Sequence, residues 1–166
     1  MKKPLRFYVS TWLPVLIGVC IIATESTDQF SAAQTHGMLY NVLNFVGIHL
    51  SDAALEQLNH VIRKTGHFLG YGGLSLLFWR AWYRTIRERA GQTVLALRAR
   101  CTAFALLGTL IVASLDEWHQ SFIPSRTSSP LDVALDMTGA LVCHLLLFTI
   151  FWIMGRPKSG TPEAYA

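Results

Sequence analysis

The chain has 166 residues, of which 52% are hydrophobic and only 14% charged, against roughly 25% charged in ordinary soluble domains. Together with a mean hydropathy of +0.37, this argues against a water-soluble core and for a single domain built for a bilayer. The net charge of +4 raises nucleic acid as a partner, but the basic residues flank apolar runs, which is the signature of membrane topology and excludes a nucleic-acid footprint.

In chain order, Lys2, Lys3 and Arg6 precede an apolar run over residues 7–24, just long enough to span. A basic start before an apolar run is also how a signal peptide begins. This run is long for one, and Ile21-Ile22-Ala23 lacks a small-x-small cleavage pattern, so an uncleaved span is expected. An extracytoplasmic insert follows over residues 25–65. Its apolar part, residues 38–50, is too short to span and suits an interfacial or re-entrant segment. Ser51 reads as an N-cap with Asp52 in the first turn, and Leu55, Leu58 and Ile62 recur at helical spacing, an amphipathic helix that could lie on the bilayer or pack as an ordinary helix.

The second span is expected over residues 66–83, with Gly66, Gly70 and Gly73 on one face for close helix approach. Residues 84–100 read as a loop rich in arginine: Arg84, Arg87, Arg89, Arg98 and Arg100 against Glu88. A third span over 101–118 and a fourth over 136–154 follow, then Arg156 and Lys158 and a tail, 159–166, expected to lack structure. The expected fold is therefore all-α: a membrane domain over residues 1–158 with four transmembrane helices plus amphipathic or interfacial helices in the first extracytoplasmic loop. Cys20, Cys101 and Cys143 are odd in number and form no C-x-x-C pair, so neither a disulfide framework nor a cysteine metal site is expected.

Basic residues assign the sides. With four spans and both termini cytoplasmic, 11 of the 14 lysines and arginines fall inside, leaving Arg63, Lys64 and Arg126 outside. Eight of the ten acids fall on that outer face. Three polar groupings then converge there. Lys64, His67 and Tyr71 share a face of span two; Asp116, Glu117, His119 and Gln120 end span three; Asp132, Asp136 and Gly139 share a face at the start of span four. Between the last two, Pro124, Pro130 and the serines around them make a turn that carries Arg126, whose guanidinium suits bidentate contact with a phosphate or carboxylate. Charge at a membrane span is costly and marks function by default.

The pattern Arg63-Lys64-x-x-His67-Phe68-x-x-Tyr71, followed by Asp116-Glu117-x-His119-Gln120-x-Phe122-x-Pro124-x-Arg126 and Asp132-x-x-x-Asp136-x-x-Gly139, resembles the VanZ-like family. The resemblance covers residues 61–148. It implies a small multi-pass protein of the bacterial plasma membrane and cell envelope, in a family named for a protein associated with teicoplanin resistance. It supplies no reaction.

Three readings of the cluster stand side by side. In the first, Lys64, Tyr71, Arg126, Asp132 and Asp136 hold an anionic envelope substrate while His67, Asp116, Glu117 and Gln120 supply acid–base chemistry. The substrate could be a lipid-linked or cell-wall precursor. In the second, the same residues recognise such a precursor or a lipoglycopeptide antibiotic without converting it. In the third, the charges pair as a structural ion network. A divalent metal on Asp116, Glu117, His119 or His67 matches no known ligand spacing, so no cofactor is expected. His144, alone on an apolar span, reads as a hydrogen-bonded packing residue. His36, His49 and His60 read as surface residues, and the tryptophans as an aromatic belt at span ends.

Overall fold

The computed structural model describes residues 3–87 and 93–154. Lys2, Glu88, Arg89, Arg156, Lys158 and the 159–166 tail lie outside the described residues. The described residues are helical, with no strand. The helices are α1 (Leu5–Glu25), α2 (Ala32–Phe45), α3 (Asp52–Ile86), α4 (Val94–Gln120) and α5 (Pro130–Met154), with a 3-10 turn at Asp28–Phe30.

Three of these, α1, α4 and α5, are long and apolar enough to cross a membrane. The bundle is inverted relative to a soluble protein. Large aliphatic side chains such as Leu16, Ile17, Leu107, Ile111, Leu145 and Leu146 are exposed, while Thr11, Ser75, Thr109, Asp116, Gln120, Asp136 and His144 are buried. That arrangement leaves apolar surface outward for hydrocarbon and polar groups inward.

α3 lies at the centre and packs against α1, α2, α4 and α5. The sequence divides it into a capped amphipathic helix and a span from residue 66, but it is one 35-residue helix. Nothing between Ile62 and Gly66 breaks it, since no proline occurs and helical glycines merely weaken a helix. Ser51 caps it as expected, its hydroxyl accepting from the Ala54 N–H at 3.4 Å. Its glycine, tyrosine, tryptophan and arginine content keeps it below the apolarity of the other three long helices. Upstream, α2 ends at Phe45, and Gly47, just past its cap, takes a φ of +79° that only glycine adopts without strain.

Other boundaries shift outward. α4 begins at Val94, capped by the Thr93 hydroxyl, so Arg98 and Arg100 stand on its first turns instead of in a loop. α5 begins at Pro130, a favoured first helical position, so Asp132 lies in its first turn. Trp79 is also not part of a belt: it is buried and stacks on Tyr83 with ring centroids 5.1 Å apart.

The bundle's two ends differ. At one, the Lys3 ammonium donates to the Arg84 carbonyl at 3.0 Å, and Arg98 lies over the Phe151 ring. At the other, the ends of α1 and α4 meet the start of α5 and the middle of α3, and there the carboxylates gather. α3 and α5 run side by side in the same direction, touching at a ladder of Lys64 with Asp132, His67 with Asp136, Phe68 with Gly139 and Gly72 with Cys143.

The ladder depends on two glycines that the sequence reading did not single out as a pair. A Cβ at Gly139 would stand 2.1 Å from the Phe68 carbonyl oxygen, and one at Gly72 would stand 3.1 Å from the Gly139 carbonyl oxygen. The glycines expected to make close contact do not. A Cβ at Gly66, Gly70 or Gly73 would meet nothing within 4 Å. Sharing a helical face shows only that the residues point one way; which helix lies opposite is set by the tertiary packing.

Candidate functional site

Three layers of polar contacts build the carboxylate end. The first joins α1 to α4. Ser26, just past the end of α1, donates its hydroxyl to the buried Asp116 carboxylate, whose other oxygen accepts from the Gln120 amide at 2.9 Å. The i, i+4 spacing of Asp116 and Gln120 makes the second bond local, and Ser26 completes it from another helix.

The second layer secures the turn before α5. The Glu117 carboxylate accepts from the Ser129 backbone N–H at 2.8 Å, and the Ser128 hydroxyl donates to the Glu117 carbonyl at 2.7 Å. A carboxylate at a helix N-terminus satisfies an orphan donor and meets the positive end of the dipole, so this contact anchors α5. Arg126 is 8% exposed, and its amino group donates to the backbone carbonyls of Glu25 and Thr27, the latter at 2.7 Å. The sequence suggests that Arg126 projects from its turn towards a phosphate or carboxylate. Instead, part of its guanidinium caps the C-terminal end of α1, because that end presents orphan carbonyls beside it. The Ser125 hydroxyl, donating to Asp28, ties the same turn to the 3-10 segment.

The third layer is the α3–α5 face. Lys64 pairs with Asp132. Below it, the His67 Nδ1 lies 3.4 Å from a carboxylate oxygen of Asp136, within ion-pair reach but without hydrogen-bond alignment. Asp136 is fully buried, and neither of its oxygens has a hydrogen-bond partner. Tyr71 stacks beneath His67 with centroids 6.1 Å apart. Its hydroxyl is buried near Asp116 and Asp136 but forms no well-aligned hydrogen bond. Buried polar groups are nearly always paired, so such a grouping stands out as a place for water or a ligand.

His67 is where the open spaces meet. A small cavity of about 70 Å³ is lined by His60, Arg63, Lys64, His67, Gln120, Thr127 and Asp132. A wider cleft of about 150 Å³ shares Arg63 and His67 with it and is otherwise lined by Glu25, Phe30, Gly66 and Arg126. Burial lowers the pKa of Arg126 from its ordinary value, and the nearby Arg63 lowers it further, while Asp116, Asp28 and Glu117 oppose both. Burial likewise lowers that of Arg63, against Asp132. Both guanidinium groups thus repel across one cleft, and neither makes an ion pair among the described residues.

The sequence model of the VanZ/LLP1 family matches residues 10–152, most of the chain. The chain belongs to the VanZ/LLP1 family. No curated protein and no solved structure gives a significant match. All the site residues named from the sequence fall within the stretch that matches VanZ/LLP1. They are brought to one end, but in unequal circumstances. Asp116 and Gln120 bond to protein partners and Glu117 uses one carboxylate oxygen so while the other is buried without a partner, whereas His67, Tyr71 and Asp136 make no side-chain hydrogen bond. His119 is exposed, and His144 is buried with its Nδ1 3.0 Å from the Ala140 carbonyl, a packing role as expected.

Four further residues contribute to the site. Arg63, part of the family pattern, and His60, exposed as the sequence suggests, both line the His67 cavity. Their signal was present, since His60, Lys64 and His67 fall at i, i+4 and i+7 on one face. Ser26 and Thr127 carry no comparable pattern. Among the described residues no group of three or more histidines, cysteines or acids could hold a metal ion.

Proposed function

We propose that this VanZ/LLP1 protein crosses the bacterial plasma membrane four times, with α3 as the fourth crossing and both termini cytoplasmic, and that it recognises an anionic ligand of the cell envelope. The crossing by α3 is supported by its place inside the bundle, where lower apolarity is tolerated because its polar face meets protein. The sidedness is supported by the gathering of Lys3, Arg84 and Arg98 at one end of the bundle and of the carboxylates at the other. The observation that carries the function is the pair of guanidinium groups, Arg63 and Arg126, lining one cleft without a carboxylate partner of their own. Such a pair is poised for a phosphate or carboxylate, which would relieve its repulsion and accept its remaining donors.

The family name points to glycopeptide resistance, and a cell-wall precursor head group or a lipoglycopeptide is the kind of envelope anion this cleft suits. Recognition is favoured over a purely structural network, because a network would leave no cation unpaired. A second, catalytic reading draws on one observation: His67 lies 3.4 Å from the buried Asp136, an imidazole beside a carboxylate able to orient it as an acid or base. Titration of purified protein with inorganic phosphate tests the first reading. Saturable binding lost in Arg63→Gln supports it, and unchanged binding in that variant refutes it. Incubation with envelope lipid extract tests the second, which predicts a mass change that disappears in His67→Ala.

A further inference from the structure

We propose that the anion held beside His67 is the head group of a single-chain lipid phosphate, and that it reaches the cleft sideways from the bilayer, between α1 and α3. The proposal rests on the reading of the cleft as an anion site and adds the ligand's class and its route.

The route begins at two glycines. Gly66 and Gly70 lie about one turn apart on α3, and a Cβ on either would meet nothing within 4 Å. Small residues in membrane helices usually serve close contact. Here Gly72 and Gly139 serve it, while Gly66 and Gly70 leave a gap towards the end of α1. Gly66 borders the guanidinium cleft, and both glycines border a narrow crevice of about 10 Å³ with Ile22, Glu25, Ser26, His67 and Tyr71. Tyr71, 1% exposed, lines that crevice with its hydroxyl unsatisfied. A ligand oxygen entering there would meet a donor already stripped of water.

The track for a chain lies just outside. An apolar groove of about 460 Å³ runs along one face of α1 past Leu13, Ile17, Cys20 and Thr24 and ends at Glu25 and Phe30. Glu25 and Phe30 also border the guanidinium cleft, so groove and cleft abut. From Leu13 to Thr24 the groove is about 16 Å long at 1.5 Å per residue, and it faces hydrocarbon when α1 spans. Another apolar crevice, between α1 and α4, shares no lining residue with the cleft. One chain track meeting the head-group site favours one chain. Two guanidinium groups favour a dianionic phosphate monoester, which answers both, over a carboxylate, which answers one.

The test is a titration of purified protein in neutral detergent with hexadecyl phosphate, hexadecanol and inorganic phosphate, read by native mass spectrometry and calorimetry. Hexadecyl phosphate should bind saturably and at least tenfold more tightly than inorganic phosphate, and hexadecanol should not compete with it. Arg63→Gln should weaken both phosphates at least tenfold. Gly70→Leu, which fills the gap, should weaken hexadecyl phosphate at least tenfold and leave inorganic phosphate unchanged. Gly73→Leu is the control, because Gly73 is equally open but borders none of these cavities, and it should change neither. If Gly70→Leu loses its unfolding transition, the smaller Gly70→Val takes its place with the same expected results, because Gly70 borders the crevice and not the cleft. Equal affinities for the two phosphates, an unaffected Gly70→Leu, or an equal effect of Gly73→Leu overturns the lipid route while leaving the anion site standing. Failure of both phosphates to bind, or indifference to Arg63→Gln, overturns the anion site and the lipid proposal together.

Discussion

Replacing Gly139 with alanine adds one methyl group where α5 lies against the backbone of α3. The new Cβ would stand 2.1 Å from the Phe68 carbonyl oxygen and 2.9 Å from its carbonyl carbon. Restoring ordinary contact at 3.4 Å requires a local separation of about 1.3 Å. No side-chain rotation relieves it, because the opposing atoms are backbone. The expected cost is therefore at the upper end for overpacking, about 3 kcal/mol, or roughly 6–12 °C in thermal midpoint for a chain of this size. The same displacement would take His67 and Asp136, now 3.4 Å apart, beyond ion-pair reach, so phosphate binding should fall with stability. Gly73→Ala on the same bundle meets nothing within 4 Å and should be neutral, or more stable by about 1 kcal/mol through helix propensity. Differential scanning fluorimetry in one detergent compares them. If Gly139→Ala melts with the parent, the α3–α5 contact is not this close and the ladder that assembles the site is wrong.

Three further outcomes follow from the same contacts. A double-mutant cycle on Lys64→Ala and Asp132→Ala should give a coupling of about 0.5–1 kcal/mol, since both side chains are partly exposed at 35% and 18%; thermal midpoints measure it, and zero coupling would mean the pair does not form. Glu117→Gln keeps the shape but replaces the charged acceptor of the Ser129 N–H, and should cost about 1–1.5 kcal/mol, seen as a lower midpoint. Arg126→Lys removes the Nη2 group that donates to both the Glu25 and Thr27 carbonyls, which a shorter ammonium arm does not reach in the same place, and should cost about 1–3 kcal/mol. Calorimetry on that variant should also show phosphate affinity reduced at least tenfold.

Much of this architecture is legible before any coordinates. Residue 7 onward, the arginines after residue 83 and the long run through His144 announce membrane helices because a bilayer demands apolar length and basic flanks. Ser51 announces its cap by type and place. The convergence of Lys64, His67, Asp116, Asp132 and Asp136 also follows from spacing once successive helices alternate direction. What spacing does not supply is the partner across a gap. It placed Gly66, Gly70 and Gly73 on a common face but could not show that the face is open, nor that Gly72 and Gly139 make the contact. It offered Arg126 as a grip for an anion or a member of an ion network, while the carbonyls it meets lie at and just past the end of α1, about a hundred residues away in sequence. It split α3 because composition changes at residue 66, although nothing in that change breaks a helix.

The central claim is that the cleft beside His67 faces outward and holds an anion, and one measurement addresses both parts. Phe30 is exposed and lines the cleft. Phe30→Cys, carried on Cys20→Ala, should react in intact cells with a membrane-impermeant thiol reagent. Inorganic phosphate should slow that reaction, and adding Arg63→Gln should abolish the protection. Labelling only after the cells are opened, or labelling indifferent to phosphate, would contradict the account.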